Sequence, residues 1–194
     1  MTRNHKPAGL NETKSKASEW QITHSSPAHE NPYFSVLQSD VIVPGGEHRD
    51  YYTISFPRPA VGVIARRGDQ VLLIHQYRFI VDEFVWAIPS GGASDSETLA
   101  SAALRELEEE TGYTAAAIAP FMHCYASYGC SNQRFEIFLA ENLRKLDSDF
   151  DRSEVLDTRW FSRTELLALI EQNGIVDNLS LSPLLLLLLR DMRA

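Results

Sequence analysis

A chain of 194 residues is long enough for one sizeable core with a small appended sheet and too short for two full domains. Its 44% hydrophobic and 10% aromatic content is that of a globular protein, and a net charge of −8 opposes non-specific association with nucleic acid or an anionic membrane. The two cysteines, Cys124 and Cys130, make no disulfide framework and lack metal-finger spacing. With no apolar run of signal-peptide type at the start, they fit reduced thiols in a cytoplasmic protein. The longest apolar run, residues 184–189, is far below the roughly 18–20 residues of a membrane span.

In chain order, residues 1–19 are polar, mixed in charge and aperiodic, and are expected to form a flexible tail. Residues 20–57 carry short strand-like pieces, WQITH, FSVLQ, VIV and YYTISF, separated by NP and PGGEHRD turn signals, which predicts a small antiparallel sheet. Residues 58–194 form the main domain. Two stronger strands open it, AVGVIAR and QVLLIHQYRF, joined by RGD. The near-continuous apolar character of the first predicts a central strand buried on both faces. After FVWAIPSGG the period turns helical, then returns to strands at PFMHCYAS, RFEIFLA and VLDTRWF. Two closing helices carry start signals. Ser162 to Glu165 is a capping box, and Ser182 before Pro183 reads as an N-cap followed by a first-turn proline. Strands alternating with helices predict an α/β sandwich.

The segment from Ser90 to Tyr113, SGGASDSETLASAALRELEEETGY, concentrates the chemistry. Ser94 and Glu97 have capping-box spacing and Gly112 stands where a left-handed residue ends a helix, which predicts a helix over 97–111. Ala100, Ala103, Leu104 and Leu107 project onto one stripe, assigned to the core, with Glu106, Glu109 and Glu110 on a neighbouring arc and Glu108 in solvent. Glutamates three and four apart repel by about 0.2–0.5 kcal/mol per exposed pair. Either the cluster is an ordinary solvated acidic face, or a hard divalent cation turns repelling carboxylates into ligands and lets an acidic protein hold a phosphate.

Gly91, Glu97, Arg105, Glu106, Leu107, Glu109, Glu110, Gly112 and Tyr113 match the pattern G-x5-E-x7-R-E-U-x-E-E-x-G-U, where U is apolar or aromatic. Seven fixed identities arise by chance with a probability on the order of 10⁻⁸ per window. The chain resembles the Nudix hydrolases, which implies a Nudix-type α/β/α sandwich and cleavage of a nucleoside diphosphate linked to a further moiety. NPYFSV, YYTISFPRPAVGVIA, VLLIHQYRF and WAIPSGG extend the likeness to the ADP-ribose and nucleotide-sugar pyrophosphatase branch, over about residues 20–189. In that branch the N-terminal sheet crosses to a partner subunit and helps build the nucleoside pocket, so a homodimer is implied.

The resemblance makes Glu106 and Glu110 ligands of Mg²⁺ or Mn²⁺, with Glu109 a further ligand and the Ser90 carbonyl a backbone ligand. Glu97 is structural, and Arg105 orients the neighbouring glutamates by ion pairing. Arg78, in QYR, resembles the phosphate-contacting arginine of the branch; its alternative is an exposed strand-end charge. Trp20 and Tyr33 are placed to stack a base or to fill the small sheet. The general base is expected in the late loop, among Asp147, Asp149, Asp151, Glu154 and Asp157, with Glu154 favoured by the alignment of SEVLDTRWF. Tyr128, beside Gly129, stands where many ADP-ribose hydrolases have proline, and Gln133 where relatives often have glutamate. An aromatic at 128 either stacks a base or sugar or covers the loop, and these departures narrow the lead that the resemblance gives ADP-ribose over other nucleotide sugars such as GDP-mannose, with dinucleoside polyphosphates behind. A non-catalytic Nudix-fold sensor of nucleotide sugars is the rival class.

Overall fold

The computed structural model describes residues 19–147, 150 and 152–193. The expected tail falls outside them except for Glu19, as do the candidate bases Asp149 and Asp151. The chain divides into two compact units, one ending at Ser55 and the other beginning at Phe56.

The first unit is a three-stranded antiparallel sheet of β1 (Gln21–Glu30), β2 (Ser35–Ile42) and β3 (His48–Ser55), in that order. It has three strands where the sequence offered four pieces. FSVLQ and VIV join in β2 because Ser39 and Asp40 stay in register opposite Tyr51 and Asp50, so polar residues interrupt the pattern without breaking the ladder. Gly45 and Gly46 then turn the chain with φ of 104° and 89°, a region that a side chain would strain.

The second unit is built on a mixed sheet ordered β10-β5-β4-β9-β8, with β6 beside β5 and β7 beside β4. Its strands are β4 (Ala60–Arg67), β5 (Gln70–Arg78), β6 (Glu83–Ala87), β7 (Ser90–Gly92), β8 (Tyr113–Tyr125), β9 (Arg134–Lys145) and β10 (Asp157–Ser162). Only the β4–β9 pair is parallel. β4 is central, as its apolar run implies, and its alternating side chains separate two cores. Val61, Val63 and Ala65 pack with Ala102, Ala103 and Leu107 of helix α1 (Leu99–Thr111). Ile64 faces the other way, toward Leu166 of α2 (Arg163–Glu171) and Leu184, Leu187 and Leu188 of α3 (Asn178–Asp191). The result is the expected α/β sandwich with one helix on one face and two on the other. Gly62 lies on the α3 face, where a Cβ would stand 2.8 Å from a Leu179 methyl and 2.9 Å from an Ile137 methyl, so any larger residue would make those side chains shift.

Among the described residues no helix is long and apolar enough to cross a membrane. Cys124 is half-buried, Cys130 is exposed, and both are free thiols.

The α2 capping box forms as read, with Ser162 and Glu165 exchanging hydrogen bonds. The α3 start does not. Asp177 is the N-cap, its Oδ1 accepting the Ser180 N–H at 2.9 Å, and Pro183 lies inside the helix. A proline there removes the bond back to Leu179, and Pro183 is buried. Asp177→Ala is expected to destabilise the fold by about 1 kcal/mol. Ser182→Ala should change it by less than about 0.5 kcal/mol. Urea denaturation of the two variants checks this, and the reverse order would restore the Ser182 cap.

Candidate functional site

Helix α1 begins at Leu99, two residues later than the sequence pattern predicts. Thr98 is the N-cap, its Oγ1 accepting the Ser101 N–H at 3.1 Å. Glu97 does accept the Ser94 N–H at 2.9 Å, but Ser94 Oγ pairs with Ser96, so half of the expected box is made and no helix starts from it. Gly112 closes the helix in the left-handed region, with φ of 65°, and its N–H donates to the Glu108 carbonyl. Lys145 Nζ donates to the last-turn carbonyl of Thr111, a cation where the helix dipole is negative.

Within this frame Arg105 is a hub. Its Nη1 donates to Glu106 Oε1 at 2.8 Å and to Glu109 Oε2 at 2.9 Å. Its Nη2 donates to the Gly92 carbonyl at 2.9 Å and to Glu97 Oε1 at 3.1 Å. One planar guanidinium thus ties the loop before the helix, the β7 backbone and two glutamates of the helix. Those partners raise the guanidinium above its ordinary range, the Glu97 hydrogen bond most. The Arg105 hydrogen bond, followed by the Ser94 N–H, holds the Glu97 carboxyl down at about 2.

Glu106 and Glu110 are one turn apart and both press on the strand segment β7. Glu110 is 4% exposed, and its Oε2 accepts the Ser90 N–H at 2.6 Å. Burial pushes its carboxyl up to about 8. The Ser90 hydrogen bond and the Arg78 charge oppose that rise, and the charges of Glu106 and Glu154 add to it. Burial also raises Glu106, partly offset by Arg105 and reinforced by Glu109 and Glu154. A Cβ on Gly91 would stand 2.2 Å from the Glu106 carboxyl carbon, so glycine is what lets the backbone pass under that carboxylate.

Glu106 Oε2 and Glu110 Oε1 accept no hydrogen bond among the described residues, and no fully enclosed polar side-chain atom there is unpaired. These two oxygens therefore open onto accessible space. Two partly desolvated, mutually repelling carboxylates with open hard-oxygen positions fit a divalent cation of the Mg²⁺ or Mn²⁺ kind. As the side chains stand, no three His, Cys, Asp or Glu groups are clustered as a metal site among the described residues. Arg105 occupies one oxygen each of Glu106 and Glu109.

The other expected residues fall into three sets. Ser90, Arg78 and Glu154 stand within hydrogen-bonding or electrostatic reach of Glu110. The Glu109 side chain is 54% exposed and reaches the cluster through its hydrogen bond from Arg105 and its charge on Glu106, while Glu108, assigned to solvent, is half-buried. The core stripe also shifts. Ala102, Ala103, Leu107 and Glu110 are buried, and Ala100 and Leu104 are only partly so, because the face that packs on the sheet runs through Glu110 itself. Tyr128 and Gly129 lie in an exposed turn held by the Cys130 and Ser131 N–H groups on the Ser127 carbonyl, and Tyr128 is 89% exposed. Gln133 Nε2 donates to the Arg134 carbonyl at 3.4 Å. Trp20 belongs to the first unit, where its ring stands edge-on to Tyr51 at 5.8 Å; Tyr33 in that unit is exposed. Asp147 and Asp157 are exposed.

Gln76 escaped the sequence reading. It is a polar residue on the face of β5 shared by Ile74 and Arg78, and it is 3% exposed. The signal was present in HQYR, since an uncharged polar residue at an inward position of a buried strand needs a partner.

A family model described as NUDIX domain matches residues 56–179. An ADP-ribose pyrophosphatase of Bacillus subtilis is 30% identical over 141 residues, 71% of this chain and 76% of the relative. A CMP-5'-(N-acetyl-N-hydroxy-3-aminopropyl)phosphonate hydrolase of Streptomyces rubellomurinus is 28% identical over 148 residues, 76% of this chain and 72% of the relative. A crystal structure of an ADP compounds hydrolase superposes with a TM-score of 0.78 at 20% identity, covering 90% of this chain and 94% of that one, a likeness of fold.

The Glu97 carboxyl lies below its ordinary value of 4.5, so the stability it contributes is present above that value and is lost as the pH falls toward about 2. The melting temperature of the wild type should exceed that of Glu97→Gln at about pH 6, and the gap should close as the pH approaches about 2. A gap independent of pH would remove Glu97 from the Arg105 hub.

Proposed function

The chain belongs to the NUDIX family and is a Nudix pyrophosphatase, and we propose that it hydrolyses the diphosphate bond of ADP-ribose, giving AMP and ribose 5-phosphate. The observation that carries this reading is the pair of desolvated carboxylates, Glu106 and Glu110, each with an open oxygen and both within reach of Arg78 or Glu154. The resemblance to an ADP-ribose pyrophosphatase over most of the chain supports the choice of substrate.

Glu106 and Glu110, with Glu109 and the Ser90 carbonyl as further donors, would hold Mg²⁺ or Mn²⁺. When bound, the cation neutralises the diphosphate and lowers the pKa of the attacking water. The protein side chains divide the remaining work. Arg105 keeps Glu106 and Glu109 in one orientation, and the Ser90 N–H does the same for Glu110. Arg78 receives a phosphate oxygen, and Glu154 accepts the proton of the water that attacks phosphorus, at a carboxylate oxygen exposed at the loop surface. Tyr128, with its ring uncovered, is available to stack on the base or sugar beside Gly129. In the N-terminal sheet Trp20, Ile22, Tyr33 and Tyr52 are exposed, apolar surface that a second copy of the chain would cover and from which Trp20 would meet the nucleoside. On this reading the protein is a homodimer, and sedimentation equilibrium should return twice the chain mass.

Incubation with ADP-ribose, GDP-mannose, UDP-sugars and diadenosine polyphosphates, read by phosphate release after phosphatase coupling, tests the activity. Mg²⁺-dependent formation of AMP from ADP-ribose, faster than from the others, is the expected result. No hydrolysis of any of them with Mg²⁺ or Mn²⁺ would favour a nucleotide-sugar sensor. Glu154→Gln is expected to lower kcat by about 10²-fold with KM little changed. Wild-type turnover in that variant would move the base to another carboxylate of the loop.

A further inference from the structure

Beside the glutamate pair the second unit contains a cavity of about 450 Å³, within the roughly 300–1,000 Å³ typical of small-ligand pockets. Ile80, Val81, Val85, Val176 and Leu179 supply most of its wall. Its polar groups are few: Gln76, Arg78, Ser90 and Asp177. Ser90 and Arg78 connect it to Glu110, the first by a hydrogen bond and the second by charge.

Gln76 is the unexplained member. It is 97% buried, by difference from its 3% exposure, and its side-chain amide has no hydrogen-bond partner among the described residues. No fully enclosed polar side-chain atom is unpaired there, so the amide oxygen and nitrogen must face the cavity. An amide that faces the cavity and bonds nothing in the protein adds no side-chain hydrogen bond to the fold and stays available to a molecule that enters.

The chemistry of the wall defines what the amide receives. An amide offers both donors and an acceptor, which suits a neutral group that is itself donor and acceptor. Asp177 places negative charge on the wall, opposing a second anion in the depth, and Arg78 is the one cation among the lining residues. A base would need an open aromatic face, and the one lining aromatic, Phe135, is packed against the core. Hydroxyl groups of a sugar meet all of these conditions.

We infer that Gln76 is a specificity-determining residue: its amide hydrogen-bonds a hydroxyl of the sugar on the non-nucleoside side of the diphosphate, seated in the cavity between β5, β6 and the start of α3. The inference rests on the hydrolase reading above. It assigns the phosphate attached to that sugar to Arg78 and leaves the nucleoside outside the cavity.

Gln76→Leu tests it. The KM for ADP-ribose should rise about tenfold, with kcat within about threefold, as loss of one ligand hydrogen bond implies. The inhibition constant of AMP, which lacks the sugar in question, should change by less than about twofold. The melting temperature of the ligand-free variant should equal or exceed that of the wild type, because leucine is of similar volume and removes no side-chain hydrogen bond made within the protein. A parallel rise for AMP and ADP-ribose, an unchanged KM, or a lower melting temperature would each overturn the assignment. Calorimetric binding of ribose 5-phosphate to both proteins separates this from the hydrolase reading. Weaker binding to Gln76→Leu in a wild type inactive on every nucleotide sugar would keep the subsite and sink the enzyme. Equal binding to both proteins, with wild-type hydrolysis of ADP-ribose intact, would do the opposite.

Discussion

The structure depends on holding two like-charged carboxylates, Glu106 and Glu110, out of water against one short backbone segment. Left alone, that arrangement opposes folding: burial raises both groups, the Glu106 charge adds to the rise at Glu110, and Glu109 and Glu154 add to that at Glu106. The surroundings limit the penalty without abolishing it. Arg105 takes one oxygen of Glu106, and the Ser90 N–H takes one of Glu110. The remaining oxygens are left open, which is the condition a cation site requires and an ordinary solvated acidic face does not. Several residues follow from that one constraint. Gly91 is needed because a Cβ would overlap the Glu106 carboxylate, and Glu97 is needed because Arg105 must be fixed from outside the helix.

The rest of the second unit serves to keep the β7 segment still. The Val63 N–H donates to the Pro89 carbonyl at 2.9 Å, which ties the segment to the central strand. From the opposite layer, buried Ser180 of α3 accepts the Ile88 N–H at 3.0 Å. The residues before Ser90 are therefore gripped from the sheet and from the helix layer, while α1 presses on the residues after it. Asn132 does similar work at the entrance to β4, where its side-chain amide receives the Phe56 N–H at 2.7 Å and donates to the Phe56 carbonyl at 3.2 Å. Positions far from the glutamates thus bear on their geometry, since a site held to fractions of an ångström needs its supporting shell fixed as well.

The acidic motif was legible in the sequence because its spacing is dictated by a helix packed on a strand, and chance does not reproduce seven identities. β4, the order of strands and helices, the α2 capping box and the left-handed Gly112 were readable for similar local reasons. Helix starts were less so. Ser94 and Glu97, like Ser182 and Pro183, have the right spacing for caps, but the true caps are Thr98 and Asp177, whose side chains accept the Ser101 and Ser180 N–H groups. Glu108 was assigned to solvent and is half-buried, because a helical projection gives angles and not the position of the neighbouring layer. Gln76 was missed for a related reason. A single polar residue in a strand looks neutral until the cavity beside it is seen, and the residues that complete the cavity, Val176, Asp177 and Leu179 at the start of α3, come from about a hundred residues away.

The central claim is that the seat under Glu106, which only glycine permits, makes the glutamate pair a cation site. Calorimetric titration of Mn²⁺ into the wild type and into Gly91→Ala, each checked for a cooperative melting transition, tests it most directly. The account predicts measurable binding to the wild type, weakened by about 10–100-fold in Gly91→Ala, as displacement of a ligand's support implies. Equal affinity in the two folded proteins would contradict it.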